Sequence, residues 1–315
     1  MRKRSTGSSS RAERSRRTSR RPLQVDGPVP LRPEEIAAVL ELVGVEPSRS
    51  LGQNFLVDRS VADREAALLD VAPGTEVLEL GGGLGSLTRA LLDRGFRVTV
   101  VEREPRFAAY LATNFAGRIR VIEGDARTAK LPEVEVCAGN LPFSAAHEIL
   151  ARLVREGMQH GAFLVQREVA DRLVAKEGSR DYGRPSVLFR VDGVFLGGGR
   201  VPSASFHPRP AVDGALVVWR RDPLDPAPRD RPTLETLLEV AFEQRRKILG
   251  RRFPGALARR FPVPAEKVPA LVEAAVWPLG WDRLRAEEIA PERFVALANL
   301  LPPPSRHPTG SPAPR

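Results

Sequence analysis

A strand-like run, Glu76-Val77-Leu78-Glu79-Leu80, enters the glycine loop Gly81-Gly82-Gly83-Leu84-Gly85 and continues into the helix-like stretch Leu87-Thr88-Arg89-Ala90-Leu91-Leu92. A strand that turns through glycines into a helix commits this part of the chain to an α/β architecture. Glycine lets the backbone turn sharply and approach a ligand closely, and the helix that follows presents unpaired N–H groups at its start. The spacing is not that of a dinucleotide site. A G-x-G-x-x-G pattern read from Gly81 needs glycine where Ser86 stands, and one read from Gly83 needs it at Thr88.

The run instead reads E-x-G-x-G-x-G from Glu79 to Gly85, the pattern of S-adenosylmethionine sites, whose ligand carries no pyrophosphate and whose methionine end lies over the loop. Gly81 and Gly83 are the expected loop contacts. The next strand-like run, Arg97 to Glu102, ends in a carboxylate about twenty residues past the loop, where such folds hold a ribose through its hydroxyls. A third run, Ile119 to Gly124, leads to Asp125-Ala126, placing a carboxylate where it can accept from the amine of the cofactor's adenine.

A fourth run, Val134 to Gly139, ends at Asn140-Leu141-Pro142-Phe143. This tetrapeptide matches the Asn/Asp-Pro-Pro-aromatic signature of methyltransferases that act on exocyclic amines. Such an amine is a poor nucleophile because its lone pair is delocalised into the ring. The Asn140 amide oxygen and the Leu141 carbonyl held by Pro142 can accept both N–H bonds and draw the lone pair out of conjugation. Phe143 then stacks on the base. Asn140 also stands among the expected cofactor contacts.

From Leu51 to Leu301 the chain resembles the ribosomal RNA adenine N6,N6-dimethyltransferase family, the KsgA-type enzymes of the small subunit and their Erm relatives. The resemblance is carried by Leu51 to Asp58, Val165 to Leu173, Ser179 to Gly183 and Phe206 to Asp213, besides the motifs above. It implies that Asn54 and Leu56 touch the cofactor and that Phe206 covers the face of the target adenine opposite Phe143. Three positions depart from the pattern. Phe143 stands where most KsgA-type members carry tyrosine, Gly214 where serine is usual, and Gly82 where the loop usually carries proline. Stacking survives the first; the second and third are expected to be tolerated, Gly82 loosening the loop before cofactor binds.

The formal net charge of +10 is concentrated in Met1 to Arg21, with nine Arg/Lys against the single Glu13. This arm is nearly devoid of apolar residues, so no amphipathic helix is expected of it, and a disordered tail able to touch RNA phosphates is. Pro223 to Pro232 reads as a linker into helical runs. Among them Arg245, Arg246, Lys247, Arg251, Arg252, Arg259 and Arg260 stand within sixteen positions without an acid, and the first five are the expected RNA contacts. The lone Cys137 excludes an internal disulfide framework, and no run of about eighteen apolar residues is present to span a membrane. Trp277 and Trp281 are expected in a core, and the helix predicted over Pro33 to Val45 is expected to cap the cofactor cleft.

The expected fold is α/β: a doubly wound, Rossmann-like class I S-adenosylmethionine-dependent methyltransferase domain over residues 33–221. A small C-terminal helical domain for docking RNA follows over 222–301, with a disordered arm over 1–32 and a disordered tail over 302–315. The expected function is dimethylation of two adjacent adenines in the 3'-terminal hairpin of small-subunit ribosomal RNA, on the pre-30S particle, by a cytoplasmic monomer without a metal. Two alternatives stay open: an Erm-type enzyme of large-subunit RNA giving macrolide resistance, and a non-catalytic ribosome-assembly factor.

Overall fold

The computed structural model describes residues 32–46, 54–133 and 135–305. Most of the basic arm, Leu51-Gly52-Gln53 of the entry motif and the tail beyond 305 lie outside them. The chain runs α1 (Pro33–Val43), β1 (Phe55–Leu56), α2 (Arg59–Leu68), β2 (Glu76–Leu80), α3 (Ser86–Asp93), β3 (Arg97–Glu102), α4 (Pro105–Asn114), β4 (Ile119–Glu123), β5 (Val136–Asn140), α5 (Ala146–Arg155), β6 (His160–Gln166) and α6 (Arg167–Leu173). It continues through α7 (Arg184–Arg190), β7 (Gly193–Val201), β8 (Phe206–His207) and β9 (Gly214–Arg221) to the helices α8 (Arg231–Phe242), α9 (Phe253–Arg260), α10 (Val268–Ala274) and α11 (Pro291–Ala298).

Seven strands form one sheet in the order β4-β3-β2-β5-β6-β9-β7, the first five parallel and β9 antiparallel to both its neighbours. The central strands are apolar on both faces because helices cover both. Val77, Val98, Val100 and Ala138 face α2 and α3, whereas Leu78, Leu80, Cys137 and Phe163 face α5 and α6. The order reverses between β2 and β5, so the carboxyl ends of these strands open a crevice, the usual ligand position in doubly wound sheets.

Local chemistry sets the element ends. Asp58 caps α2 by accepting from Ser60 N at 3.0 Å, and Asp230 caps α8 by accepting from Thr233 N at 2.9 Å. Arg32 is the N-cap residue of α1, its N–H donating to Glu35 Oε2 at 2.8 Å, so it belongs with the helix rather than with the arm.

The helices α8 to α11 enclose their own core, in which Leu234, Leu237, Phe261, Phe294 and Trp277 are buried and Trp281 is packed against them. That core extends to α7, since Tyr182, Val187 and Val191 join it and the Tyr182 hydroxyl donates to the Ile289 carbonyl at 2.9 Å. The stretch before α8 is anchored: Leu224 is buried and its N–H donates to the Val191 carbonyl at 3.0 Å. Residues 302–305, the start of the expected disordered tail, are held against α9 by a bond from Ser305 N to the Arg260 carbonyl at 2.8 Å.

Candidate active site at the carboxyl edge of the sheet

The glycine loop is tied down at three points: Gly81 N donates to the Val101 carbonyl at 2.8 Å, Gly83 N to Glu102 Oε2 at 2.9 Å, and Gly85 N to the Gly82 carbonyl at 2.8 Å. Gly81, Gly83 and Gly85 all have positive φ, a conformation that glycine adopts without strain. At Gly82 an added Cβ would lie 2.5 Å from Val100 Cγ1 and 2.7 Å from Leu111 Cδ1, so here the missing side chain is what lets Val100 and Leu111 close beneath the loop. At Gly214 a Cβ would sit 3.1 Å from Leu164 Cδ1 and 3.3 Å from the Val165 carbonyl, a tight fit that glycine relieves.

Glu102, 7% exposed at the end of β3, accepts from the Gly83 and Glu104 N–H groups. Burial raises its pKa, and those two bonds work against the rise. Asp125 follows β4 and is gripped by Arg127, whose Nη2 lies 2.6 Å from Oδ2; hydrogen bonding from Arg127 lowers its carboxyl to about 2. The group is an anion at any physiological pH.

Asn140 is the last residue of β5, opposite Leu164 of β6. The alternation along β5 turns its side chain to the same face of the sheet as Glu79 and Glu102. Its Nδ2 donates to the Asn54 carbonyl at 3.5 Å. Leu141 N donates to the Leu164 carbonyl at 3.0 Å, and Ala145 N closes a turn onto the Pro142 carbonyl at 3.0 Å, so the tetrapeptide is braced at both ends.

Phe206 reaches this edge by a separate route. β8 pairs antiparallel with β1, with Leu56 opposite Phe206 and Phe55 opposite His207. The Leu56 carbonyl accepts from Ser86 Oγ at 3.1 Å, joining the small sheet to the glycine loop. Asp213 accepts from Ser203 N at 2.8 Å and holds the segment that carries Phe206.

All these groups line one cavity of about 360 Å³: Asn54, Leu56, Gly81, Gly83, Glu102, Asp125, Ala126, Asn140, Leu141, Pro142, Phe143 and Phe206. Helix α1 does not cap it. Ile36, Val39 and Leu40 pack behind Phe55 and Phe107, and it is these two rings, edge to face at 5.5 Å, that form the wall. The helix turns its apolar stripe to that wall and so supports the cavity from outside.

Three further carboxyls, Glu65, Glu79 and Glu104, line the cavity beyond the expected site residues. Glu79, 1% exposed, accepts from Thr88 Oγ1 at 2.7 Å; burial lifts its pKa to about 7, the Thr88 bond opposing and the Glu102 charge assisting. Glu65 lies on the buried stripe of α2 with Val61, Ala62 and Ala66. Its signal in the sequence was an acid at a position where helical periodicity calls for an apolar residue.

The cavity's charged side chains are the acids Glu65, Glu79, Glu102, Glu104 and Asp125 against Arg103 and Arg127. Both arginines lie beside Asp125, at 3.9 and 2.6 Å. This set fits S-adenosylmethionine. It offers carboxylates for a ribose and an adenine amine, a glycine loop without a basic residue for phosphate, and an acidic remainder for a ligand bearing an ammonium and a sulfonium. Among the described residues no group of His, Cys, Asp and Glu is placed to hold a metal, and no helix is long and apolar enough to cross a membrane.

The basic run divides between a turn and a helix. Arg245 is engaged by Glu287 at 2.8 Å and by the Arg180 carbonyl, and Arg260 by Glu239 at 3.0 Å. Arg246, Lys247, Arg251 and Arg252 are exposed, although Arg252 also donates to Gln244. Arg246 and Lys247 border an open groove of about 900 Å³ together with Arg172, Arg180 and Arg285.

A parallel sheet whose carboxyl edge combines this glycine loop, these strand-end acids and an Asn-Leu-Pro-Phe turn defines an S-adenosylmethionine-dependent methyltransferase. The family model for ribosomal RNA adenine dimethylase matches residues 46–262, and the chain belongs to that family. It is therefore an rRNA adenine dimethyltransferase, and its cofactor is S-adenosylmethionine. Relatives include ribosomal RNA small subunit methyltransferase A of Leifsonia xyli subsp. xyli, 38% identical over 85% of this chain and 97% of its own length. The protein of the same name from Nocardia farcinica is 38% identical over 85% of this chain and 94% of its own. Among solved structures, the 23S rRNA methyltransferase ErmE is 26% identical, with a TM-score of 0.60 over 79% of this chain and 99% of its own. A dimethyladenosine transferase from Plasmodium falciparum, 21% identical over 77% of this chain and 95% of its own, shares the fold with a TM-score of 0.68.

Proposed function

We propose that this chain transfers two methyl groups to N6 of each of two adjacent adenines in the 3'-terminal hairpin of small-subunit ribosomal RNA, acting as a cytoplasmic monomer on the pre-30S particle. The observation that carries the reading is the convergence of Asn140, Phe143 and Phe206 on the cavity that also holds Glu102 and Asp125. The groups that would hold a base and those that would hold the cofactor share one chamber, as direct transfer requires. The small-subunit assignment is supported by relatives such as those from Leifsonia xyli and Nocardia farcinica, both named for the small subunit.

The target adenine leaves its stack and is held between Phe143 and Phe206. The Asn140 amide is oriented by its donation to the Asn54 carbonyl, which leaves Oδ1 as the end that accepts from N6–H. The Leu141 carbonyl accepts the second N–H, and Pro142 keeps that carbonyl in place. As both bonds form, the N6 lone pair is released from the ring. Glu102 holds the ribose of the cofactor and Asp125, beside Ala126, its adenine. A bound cofactor would supply an electrophilic methyl group, so that no residue of this chain need form a covalent intermediate. The helices α8 to α11 with the exposed Arg246, Lys247, Arg251 and Arg252 dock the RNA, and Arg245 positions the segment around Arg180.

The test is methyl incorporation from labelled S-adenosylmethionine into small-subunit and large-subunit particles that lack their adenine dimethylations, followed by nucleoside analysis. Dimethyladenosine in the small subunit is expected. Label confined to the large subunit would move the chain to the resistance branch, and none in either particle would leave an assembly factor.

A further inference from the structure

Glu65 is a group that the chemistry above leaves unused. It is fully buried, lines the cavity, and neither carboxyl oxygen has a hydrogen-bond partner among the described residues. The backbone N–H groups of Gly139 and Leu164, on β5 and β6, oppose the rise in its pKa without completing a hydrogen bond to it. Its surroundings are otherwise apolar: Val61, Ala62 and Ala66 on its own helix, and Ala138 and Leu164 on the strands opposite. The charged side chain acting on it is Glu79, and burial together with that neighbour pushes its pKa far above the ordinary carboxylate range.

A carboxyl buried without a partner destabilises the fold, so a group retained at the floor of a cavity points to a partner that enters from the cavity. A partner that donates hydrogen bonds would serve Glu65 and Glu79 together. It should be a cation, because both arginines of the cavity are at the Asp125 end and the Glu65–Glu79 end has only acids. The target amine does not qualify: it is neutral, and its two N–H bonds are accounted for by Asn140 and Leu141. The cofactor carries one group that does, the primary ammonium of its methionine moiety.

We propose that Glu65 is a further cofactor-binding residue, which together with Glu79 forms an acidic floor accepting hydrogen bonds from the methionine ammonium of S-adenosylmethionine. Glu79 keeps its bond from Thr88 while offering its other oxygen. The inference rests on the methyltransferase assignment of this cavity and adds a residue to it.

Calorimetric titration of Glu65→Gln and Glu65→Leu with three nucleosides tests it. S-adenosylmethionine and S-adenosylhomocysteine both carry the ammonium; 5'-methylthioadenosine lacks the whole amino-acid part. Glu65→Leu is expected to melt at higher temperature than the parent, since an apolar side chain replaces an unpartnered buried carboxyl. Both variants should bind the first two nucleosides about tenfold to a hundredfold more weakly, the range of a hydrogen bond to a charged group. Affinity for 5'-methylthioadenosine should be unchanged. Unaltered binding of S-adenosylmethionine by either variant would overturn the proposal and leave Glu65 a structural acid. An equal loss for 5'-methylthioadenosine would overturn it in favour of a deformed pocket, and a loss confined to S-adenosylmethionine would transfer the contact to the sulfonium. If the parent protein binds none of the three, the cofactor assignment fails first and this inference with it.

Discussion

Raising the pH from 5 to 8 should destabilise the cofactor-free protein, with Glu79 setting a measurable part of the change. Its carboxyl ordinarily titrates at 4.5 and is lifted to about 7 by burial, the Thr88 hydroxyl opposing and Glu102 assisting. A group that holds its proton more tightly folded than unfolded favours the folded state while protonated. The contribution is fully present below 4.5 and is lost as the pH rises through 7. At 1.36 kcal/mol for each tenfold change in proton affinity, the difference amounts to about 3 kcal/mol. Glu79 is 1% exposed, so solvent screening removes little of it. For 315 residues the entropy of unfolding is about 0.7 kcal/mol per kelvin, which converts that loss into a fall of about 4 °C in Tm. Glu65 and Glu102 shift in the same direction and add to the slope, so the comparison that isolates Glu79 is with Glu79→Gln, which keeps an acceptor for Thr88 Oγ1 and cannot ionise. Scanning calorimetry of both proteins at pH 5, 6, 7 and 8 should show the variant losing about 4 °C less across the range. Parallel curves would refute the argument, because they would mean that Glu79 does not carry a proton into the folded state.

The Asn140→Ala variant should bind S-adenosylmethionine and RNA nearly as the parent does and lose turnover by about a hundredfold to a thousandfold, the effect of removing one preorganised polar group at a reacting centre. Single-turnover kinetics on small-subunit particles measures it, and retained turnover would remove Asn140 from the chemistry. Replacing Arg246, Lys247, Arg251 and Arg252 together by alanine should weaken RNA binding and lower the slope of log affinity against log salt by about 3, at roughly 0.7 to 0.9 for each phosphate that is no longer neutralised. Cofactor affinity, read by calorimetry, should not change, and an unaltered salt slope would place the RNA elsewhere. Gly82→Ala forces a Cβ against Val100 and Leu111 and should lower stability by about 1 to 3 kcal/mol, the range for overfilling a packed core, visible in chemical denaturation. Unchanged stability would show that Leu111 yields at no cost.

Much of the site was legible in the sequence because its groups follow short local patterns. Glu79 to Gly85, Glu102, Asp125 and Asn140 to Phe143 each close a strand, and a parallel α/β sheet brings successive strand ends to one edge whatever the details of packing. The central strands announced themselves as apolar runs, and the helix over Pro33 to Val43 by its periodicity. The resemblance brought in Asn54, Leu56 and Phe206, which no local pattern would have singled out.

What the sequence by itself determined, then, is the succession of elements and the chemistry at their ends, both set by periodicity and by the residues that terminate each strand. The tertiary structure alone decided matters that depend on contacts between distant segments. The pairing of Leu56 with Phe206, 150 positions apart, brings an aromatic ring to the cavity through a two-stranded sheet too short to be read from either half. Arg245 looks like its basic neighbours until Glu287 and the Arg180 carbonyl engage it. Helix α1 is placed behind the cavity wall instead of over its mouth by the stripe it shares with Phe55 and Phe107. Glu65 stands on the apolar stripe of α2 in the chain, but only the packing of α2 onto β6 shows that it is buried against the site. Local patterns report what a segment can form, whereas which face is buried and which groups meet depends on how all the segments fill one volume.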